Sequence, residues 1–242
     1  MTRRVILFIV VFTILLSGNT LTFASKFNYY NSSIVELDTI NFNSLSIKDG
    51  LTSDLITCIY QDSQGYIWIG TQDGLNKYNG NIVTQYKYEK NNKKSLTSTC
   101  ITSINEDDNG NIWVGTDSGL NIINRNNYEV TRMELNKKSD EILSDYMITS
   151  IYRDSNGDMW VGTSNGLNRY DEKNNKFIKY YSSETNQSIT NNYITDIDEN
   201  EEGELWVSTM DGISVINLAT NKISDGRGKH NNFEYIYGTD KD

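Results

Sequence analysis

The amino-acid sequence predicts an all-β fold built from repeated four-stranded antiparallel sheets, and three observations lead to this prediction. Tryptophan recurs at intervals of about 46 residues, a period that is typical of repeat proteins. Segments around each tryptophan alternate apolar and polar residues, as strands with one buried face do. Asp, Asn and Gly cluster between these segments, where tight turns are needed. The tryptophans are Trp68, Trp113, Trp160 and Trp206.

A fixed frame of residues surrounds each tryptophan. An Ile-Thr pair begins twelve residues before it, as in Ile148-Thr149, and a Thr stands three residues after it, as in Thr163. Glycine stands three residues before it in every copy, at Gly65, Gly110, Gly157 and Gly203. Four copies in one phase establish a repeat, and we expect these glycines and tryptophans to be structural.

The third repeat illustrates the strands that each copy predicts. They cover residues 148–152, 158–163, 167–170 and 177–181, and the turn at 154–157 contains Asn-Gly, which favours a hairpin. Four antiparallel strands that recur in this way are typical of a blade of a β-propeller. Because one blade cannot bury both of its faces, we expect each tryptophan to pack against a neighbouring blade.

The composition excludes several classes of function. The 242 residues carry 22 Lys and Arg against 32 Asp and Glu, so the net charge of −10 makes nucleic acid a poor partner. The 37% apolar content is too high for a disordered chain. The one histidine, His230, lies near the C-terminus, which excludes multi-histidine metal sites and Ser-His-Asp catalysis within the repeats. We therefore predict no metal, no cofactor and no catalytic residue.

The N-terminus has the pattern of an export signal. Arg3 and Arg4 precede an apolar run over residues 5–16, and small residues follow near Ala24. The run is short for a membrane span, which needs about 20 residues, so a cleaved signal peptide is favoured over an uncleaved anchor. Either interpretation places the repeats on the periplasmic or extracellular side of the membrane.

The repeat frame also predicts the boundaries along the chain. Ile236 aligns with Ile148, so the segment after residue 228 is expected to begin a fifth blade and to leave an incomplete ring. A closed four-bladed ring is the alternative, and the leftover strand argues against it. An incomplete ring would leave a blade face bare, which favours pairing with another chain. The predicted segments are 1–24 (signal), 25–44 (lead-in), 45–90, 91–137, 138–184 and 185–228 (blades), and 229–242 (start of a fifth blade).

A family resemblance becomes specific at this point. The third repeat reads ITSIYRDSNGDMWVGT over residues 148–163 and closes with Gly166-Leu167, which resembles the two-component regulator propeller repeat. The first and third repeats match that pattern almost throughout and the second closely. The fourth departs from it at Asn200, Ser208 and Ile213. The resemblance covers about residues 45–223 of the chain.

The resemblance implies a sensor on the outer side of a membrane. Propellers of that family usually form seven-bladed rings and precede a further β-domain, a membrane helix and a cytoplasmic output. The output is often a histidine kinase and sometimes a diguanylate cyclase. The implied partners are therefore a small ligand, further propeller blades and a membrane-linked signalling domain, whereas this chain itself is not expected to be an enzyme.

The loops at one edge of the blades are the candidate binding surface. The loops that lead into each blade, and those between its second and third strands, vary among repeats, and variable loops on a rigid scaffold commonly carry specificity. Their short polar side chains could bind the hydroxyls of an oligosaccharide. Tyr146 and Tyr193 could stack on a sugar ring, as could Tyr66 if it belongs to this edge. The alternative is that these side chains only cap their own turns. The candidates are Asp54, Asp73, Asp117, Asp145, Asn165, Asn191 and Asp211.

Two other functions compete with ligand sensing. An exported propeller enzyme acting on carbohydrate would need a pair of carboxylates about 5–9 Å apart, yet Asp73 and Asp211 recur at one offset, as scaffold residues do. A purely structural interaction scaffold is the third hypothesis. Calcium binding by the acidic turns at 107–110 and 154–158 is not favoured, since their glycine comes too early for an EF-hand.

The two cysteines are expected to remain unpaired. Cys58 and Cys100 lie at positions of opposite parity relative to their tryptophans, so on regular strands they would face opposite sides of the sheets. We therefore predict two small buried thiols rather than a disulfide.

Overall fold

A computed structural model describes residues 12–17, 20–25, 44–133, 142–184 and 187–226, and of residues 12–25 it describes only the backbone. His230 and the predicted fifth-blade segment, 229–242, lie outside these ranges. The chain divides into two compact units, Met1–Ser44 and Leu45–Asp242.

The first unit contains one antiparallel hairpin. Strand β1 (Phe12–Ser17) pairs with β2 (Thr20–Ser25). The hairpin overlaps the predicted export signal, which stays a prediction. Over the ranges that the structure describes, none of the helices has the length and apolar content that crossing a bilayer requires.

The second unit consists of four four-stranded antiparallel sheets, which confirms the predicted all-β repeat fold. A 3-10 helix, Ile47–Asp49, precedes them and is capped by Ser46. In each sheet the strands lie side by side in chain order. Blade 1 contains β3 (Ile56–Gln61), β4 (Ile67–Thr71), β5 (Gly74–Tyr78) and β6 (Val83–Tyr86); blade 2 contains β7 (Ile101–Glu106), β8 (Ile112–Thr116), β9 (Gly119–Ile123) and β10 (Val130–Arg132). Blade 3 contains β11 (Ile148–Arg153), β12 (Met159–Thr163), β13 (Gly166–Asp171) and β14 (Lys176–Tyr180); blade 4 contains β15 (Ile194–Glu199), β16 (Glu204–Thr209), β17 (Gly212–Asn217) and β18 (Lys222–Asp225).

The turn between the first two strands is built around an acidic side chain. In blade 3, Asp154 Oδ1 accepts the N–H groups of Asn156 and Asp158, and Oδ2 accepts the indole N–H of Trp160 at 2.8 Å. Gly157 has a φ of 88°, which a side chain would disfavour. Asp62 and Asp107 make the corresponding contacts. These turns are therefore structural, as the sequence indicated.

The first strand of every blade contains a β-bulge near its start. The register shifts between Ile56 and Cys58 in β3, and at the equivalent places in the other blades. The prediction that the two cysteines face opposite sides of the sheets assumed regular alternation of side chains along the strand. That reasoning is wrong, because a bulge reverses the alternation. Cys58 and Cys100 are nevertheless both free and half-buried.

Each pair of consecutive blades shares one apolar core. Trp68 and Leu75 of blade 1 pack with Ile101 and Ile104 of blade 2. The two other junctions repeat this arrangement, with Trp113 or Trp160 on one side and an isoleucine pair of the next blade on the other. These three tryptophans are buried as predicted, whereas Trp206 is only half-buried.

The blades follow one another in sequence order around the propeller. The first strands contact in the order β3, β7, β11 and β15, and each second strand packs on the first strand of the next blade. These first strands are therefore the inner strands. No closed ring is present in the part of the chain that the structure describes.

Polar contacts at the turns join the blades a second time. Ser63 donates its backbone N–H and its hydroxyl to Glu106, at 2.7 Å each. Ser155 does the same to Glu199 in the junction between blades 3 and 4. Between blades 2 and 3 the equivalent positions hold Asp108 and Arg153, which form an ion pair at 2.6 Å.

Candidate ligand-binding rim

Antiparallel strand order divides the loops between two edges of the propeller. The loops that lead into the blades and the loops between second and third strands lie at one edge, which we call the loop rim. The turns between first and second strands, and between third and fourth strands, lie at the other edge, which we call the turn rim. This arrangement follows from the observed strand order.

A buried polar group in each blade holds the loop rim together. In blade 1, Asn76 of β5 accepts the backbone N–H of Thr52 at 3.0 Å and donates to the Thr52 hydroxyl and to the carbonyl of Ile69. The Thr52 and Thr71 hydroxyls are 2.8 Å apart, and Thr71 donates to the carbonyl of Gly74. The leading loop is thus tied to both the second and the third strand.

The same polar group recurs in the other blades. Asn121 and Asn168 take the place of Asn76, and both are fully buried. In blade 4, Ser214 takes this place and accepts the N–H of Thr190. These residues are not among those predicted from the sequence, although the recurring Gly-Leu-Asn at the start of the third strand indicates them.

The predicted binding residues all lie on the loop rim, and several of them are engaged in turn contacts. Asp145 and Asn191 accept the N–H two residues ahead, from Met147 and Tyr193. Asp54 accepts the N–H of Ile47 in the 3-10 helix. In these three contacts the side chains cap backbone N–H groups, as expected if they serve the turns rather than a ligand.

The remaining predicted residues lie in the loops between second and third strands. Asp73, Asn165 and Asp211 are exposed, and each donates its backbone N–H to the threonine that ends the second strand. Asp73 also lies 3.4 Å from the Lys87 ammonium. Asp117 accepts a hydrogen bond from the Ser118 hydroxyl. The side chains of Asn165 and Asp211 therefore remain open to solvent on the rim.

Large apolar side chains are exposed on the loop rim. Leu55 and Met147 hold the same place at the end of the leading loop in blades 1 and 3, and Met210 lies in the loop between second and third strands of blade 4. Met210 is 67% exposed and Tyr146 is 55% exposed. Such side chains usually mark a surface that contacts a ligand or a partner when they cluster.

Three of the exposed side chains on this rim belong to blade 3. Tyr146 and Met147 follow Asp145 in its leading loop. Tyr181, which is also exposed, lies against Ser144 and Gly166, since a Cβ added at Gly166 would be 2.9 Å from the Tyr181 ring and 3.0 Å from Ser144 Cβ. Blade 3 thus presents aromatic, apolar and acidic groups at the loop rim.

Tyr66 does not belong to the loop rim. It follows the turn at 62–65 and therefore lies on the turn rim, so the condition under which it could stack on a sugar ring is not met. The Lys77 ammonium lies 3.7 Å from the centre of the Tyr66 ring and 3.5 Å from that of Tyr128. Tyr128 has a φ of 56°, which is unusual for a large side chain. Asn175 and Asn221 hold the same place in blades 3 and 4 with φ values of 48° and 55°, so the turn accounts for this conformation.

One carboxyl group at the turn rim has a raised pKa. Burial, followed by the charge of Asp154, raises the pKa of the Asp158 carboxyl, and the Arg169 guanidinium at 3.4 Å opposes this shift. Within the described ranges, no cluster of three or more His, Cys, Asp or Glu side chains is placed to hold a metal ion.

Comparison with known proteins agrees with this geometry. The four sheets and their order define a β-propeller. The family model of the two-component regulator propeller matches three segments of the chain, residues 50–73, 95–118 and 142–165. The fourth repeat, with its departures at Asn200, Ser208 and Ile213, lies outside the matched ranges.

The relatives include signalling proteins. A segment of 46 residues is 41% identical to Histidine kinase P4 of Formosa agariphila, covering 19% of this chain and 3% of that protein. A crystal structure of the extracellular domain of a hybrid two component system from B. thetaiotaomicron is 25% identical with a TM-score of 0.66, covering 76% of this chain and 26% of that one. The chain thus spans about a quarter of that domain and resembles part of an extracellular sensor domain.

The propeller fold is shared with proteins of other function. A catalytically inactive virginiamycin B lyase from Staphylococcus aureus, solved with quinupristin, is 13% identical with a TM-score of 0.52. That match covers 90% of this chain and 73% of the lyase, and at this identity it concerns the fold alone.

Proposed function

We propose that the chain is the ligand-sensing propeller of a two-component-type receptor and that its ligand binds at the loop rim. The observation that carries this proposal is that blade 3 exposes three large apolar or aromatic side chains, Tyr146, Met147 and Tyr181, at the loop rim. The similarity to an extracellular domain of a hybrid two component system supports the sensing role.

The chemistry of the rim favours an uncharged ligand with both apolar and hydroxyl faces. Exposed tyrosine rings offer stacking surfaces, and neighbouring carboxylate and amide groups, such as Asp145 and Asn165, can bind hydroxyls. The acidic charge of the chain disfavours an anion. An oligosaccharide meets these requirements, and we propose it as the ligand class.

In this role the propeller acts by shifting a population. A ligand that binds one arrangement of the sensor better than another changes their ratio by its difference in affinity. The output, proposed to be a histidine kinase or a diguanylate cyclase, would respond across the membrane. We accordingly propose that the chain is exported and is not itself an enzyme. The rigid polar groups around Asn76, Asn121 and Asn168 suit this task, because they keep the rim loops in fixed positions.

Titration calorimetry with purified chain and a panel of neutral oligosaccharides tests the proposal. We expect one class to bind, and Tyr146→Ala to weaken that binding at least tenfold through loss of stacking. Ile82→Ala is the matched control, since Ile82 is 63% exposed, compared with 55% for Tyr146, but lies on the turn rim. Absence of binding to every class, or an equal loss in the Ile82 variant, would overturn the assignment of ligand and rim.

A further inference from the structure

Three sulfur-containing side chains lie at the loop rim in three consecutive blades. Cys100 in blade 2 and Met147 in blade 3 hold one equivalent place, directly before the inner strand. The carbonyl of each accepts a backbone N–H from the loop opposite, at 3.4 and 3.1 Å. Met210 in blade 4 lies on the other side of the same backbone contact, since its N–H donates to the Tyr193 carbonyl at 3.1 Å. The loop rim thus carries one thiol and two thioethers.

Exposure to solvent distinguishes these methionines from one in the core. Met210 is 67% exposed and Met147 is 37% exposed. Met159, at the start of β12 in blade 3, is 3% exposed and packs in the core shared by blades 2 and 3. A sulfur atom must be reached by solvent to react with a dissolved oxidant. The two rim methionines are therefore accessible to an oxidant, whereas Met159 is protected.

The two thiols are less reactive than their positions suggest. Burial, followed by the charge of Asp117, raises the pKa of the Cys100 thiol. Burial also raises the pKa of Cys58. Because the thiolate is the form that reacts with a peroxide, a raised pKa slows both cysteines near neutral pH. A thioether has no proton to lose, so the same shift does not affect the methionines.

Backbone hydrogen bonds hold the rim methionines in place. The N–H of Met147 donates to Asp145 Oδ1 at 3.2 Å, and its carbonyl accepts the N–H of Ser164 at 3.1 Å. Leu55 holds the place of Met147 in blade 1, and its carbonyl accepts the N–H of Gln72 in the same way. These bonds do not involve the thioether, so a chemical change at the sulfur leaves them intact.

We propose that Met147 and Met210 form a modification site at which a peroxide oxidises the loop rim. One oxygen atom passes from hydrogen peroxide to each thioether sulfur, which loses two electrons to the peroxide and becomes a sulfoxide, and water is released. A methionine sulfoxide reductase, supplied with a thiol reductant, reverses the change. The sulfoxide is polar, so oxidation removes two exposed apolar groups from the rim. The consequence for sensing rests on the proposed function, because an oxidised rim would bind its ligand more weakly.

Peptide mass spectrometry after timed exposure to hydrogen peroxide tests the modification in the full chain. We expect Met147 and Met210 to be oxidised at least about tenfold faster than Met159, because only the rim sulfur atoms are exposed. Unfolding the chain in urea should make the three rates equal, which controls for differences in intrinsic reactivity. Equal rates in the folded protein would overturn the proposal.

Hydrophobic interaction chromatography tests the change in the surface. Peroxide should shorten the retention of the unmodified chain, and a methionine sulfoxide reductase should restore it. Most of this shift should be absent in Met147→Leu/Met210→Leu, which has no thioether at either position and uses the residue that blade 1 carries at Leu55. A shift that persists in full in the double variant would overturn the assignment of the site.

Calorimetry with the oligosaccharide panel separates this inference from the proposed function. If an oligosaccharide binds, peroxide should weaken its binding to the unmodified chain at least about fivefold, and by a smaller factor in Met147→Leu/Met210→Leu. An unchanged affinity would overturn the regulatory role and leave the proposed function standing. If no oligosaccharide binds, the proposed function fails, and the oxidation rates and chromatography still decide whether the modification site exists.

Discussion

The inner strand of blade 1 and the inner strand of blade 2 have nearly the same frame but different surroundings. Both begin with Ile-Thr and place a second isoleucine three residues later. In blade 2 that second isoleucine is 7% exposed, and in blade 1 it is 66% exposed. The strand forms in both cases, so local sequence determines the strand, whereas the neighbouring blade determines whether its face is buried.

Blade 4 shows the same dependence of burial on a neighbouring blade. Trp160 lies within a junction and is fully buried, whereas Trp206 holds the same place in blade 4 and is half-buried. Internal junctions and end faces therefore provide matched pairs of residues. Comparing the free energy of unfolding that is lost on substitution within each pair separates the stabilisation by the neighbouring blade from the stabilisation within the blade itself.

The tryptophans should give the largest difference. Trp160→Ala removes a buried indole and its 2.8 Å hydrogen bond to Asp154, so we expect it to lower the free energy of unfolding by about 3–5 kcal/mol. Trp206→Ala should cost less than half as much, because part of the ring is already in solvent. Urea unfolding followed by circular dichroism measures both values. Equal losses would contradict the view that the neighbouring blade supplies most of the stabilisation.

The residue two places after the tryptophan should give an intermediate difference. Gly162→Ala would force a Cβ against Ile194, and overpacking of this kind typically costs about 1–3 kcal/mol. Ser208→Ala at the end face only removes a hydroxyl and should leave the urea midpoint almost unchanged. If Gly162→Ala were as well tolerated as Ser208→Ala, the close approach at the junctions would be less demanding than the distances indicate.

The ion pair at the turn rim should give the smallest difference. Asp108→Asn removes the attraction to Arg153, but both side chains are largely exposed, so we expect a loss below about 1 kcal/mol. Glu201→Gln at the end face should have no measurable effect. Thermal unfolding at low and high salt checks this, because screening should abolish the effect of Asp108→Asn. A loss that persists in high salt would indicate a contribution other than charge.

The repeat frame was sufficient to predict the strands but not their finer geometry. In blade 3, all four predicted strands lie within two residues of their observed ends, because tight turns at Gly157 and Gly166 fix where strands begin. The bulge in each inner strand left no comparable signal, and it made the parity argument for Cys58 and Cys100 fail. Assigning Tyr66 to the turn rim also required the directions of the strands on either side of its turn.

The candidate site was predicted only in outline. Variation among loops pointed to the loop rim, whose role in binding stays a prediction, and Tyr146 beside Asp145 was among the residues named. The exposed Met147, Met210 and Tyr181 were not, because exposure of an apolar residue depends on packing that a single sequence does not reveal. The buried Asn76 was also missed, since a polar residue in a strand looks like any other alternation until its partners are known.

The hydrogen bonds of Asn76, Asn121 and Asn168 have a consequence for how the rim can change. In each leading loop, hydrogen bonds join a side chain of the third strand to one loop residue next to the strands, such as Thr52. Beyond that point the loop residues make local turn contacts, such as that between Asp145 and the N–H of Met147. New recognition properties can therefore be acquired by substituting those residues one blade at a time, or by exchanging whole loops between blades, while the fold tolerates the exchange.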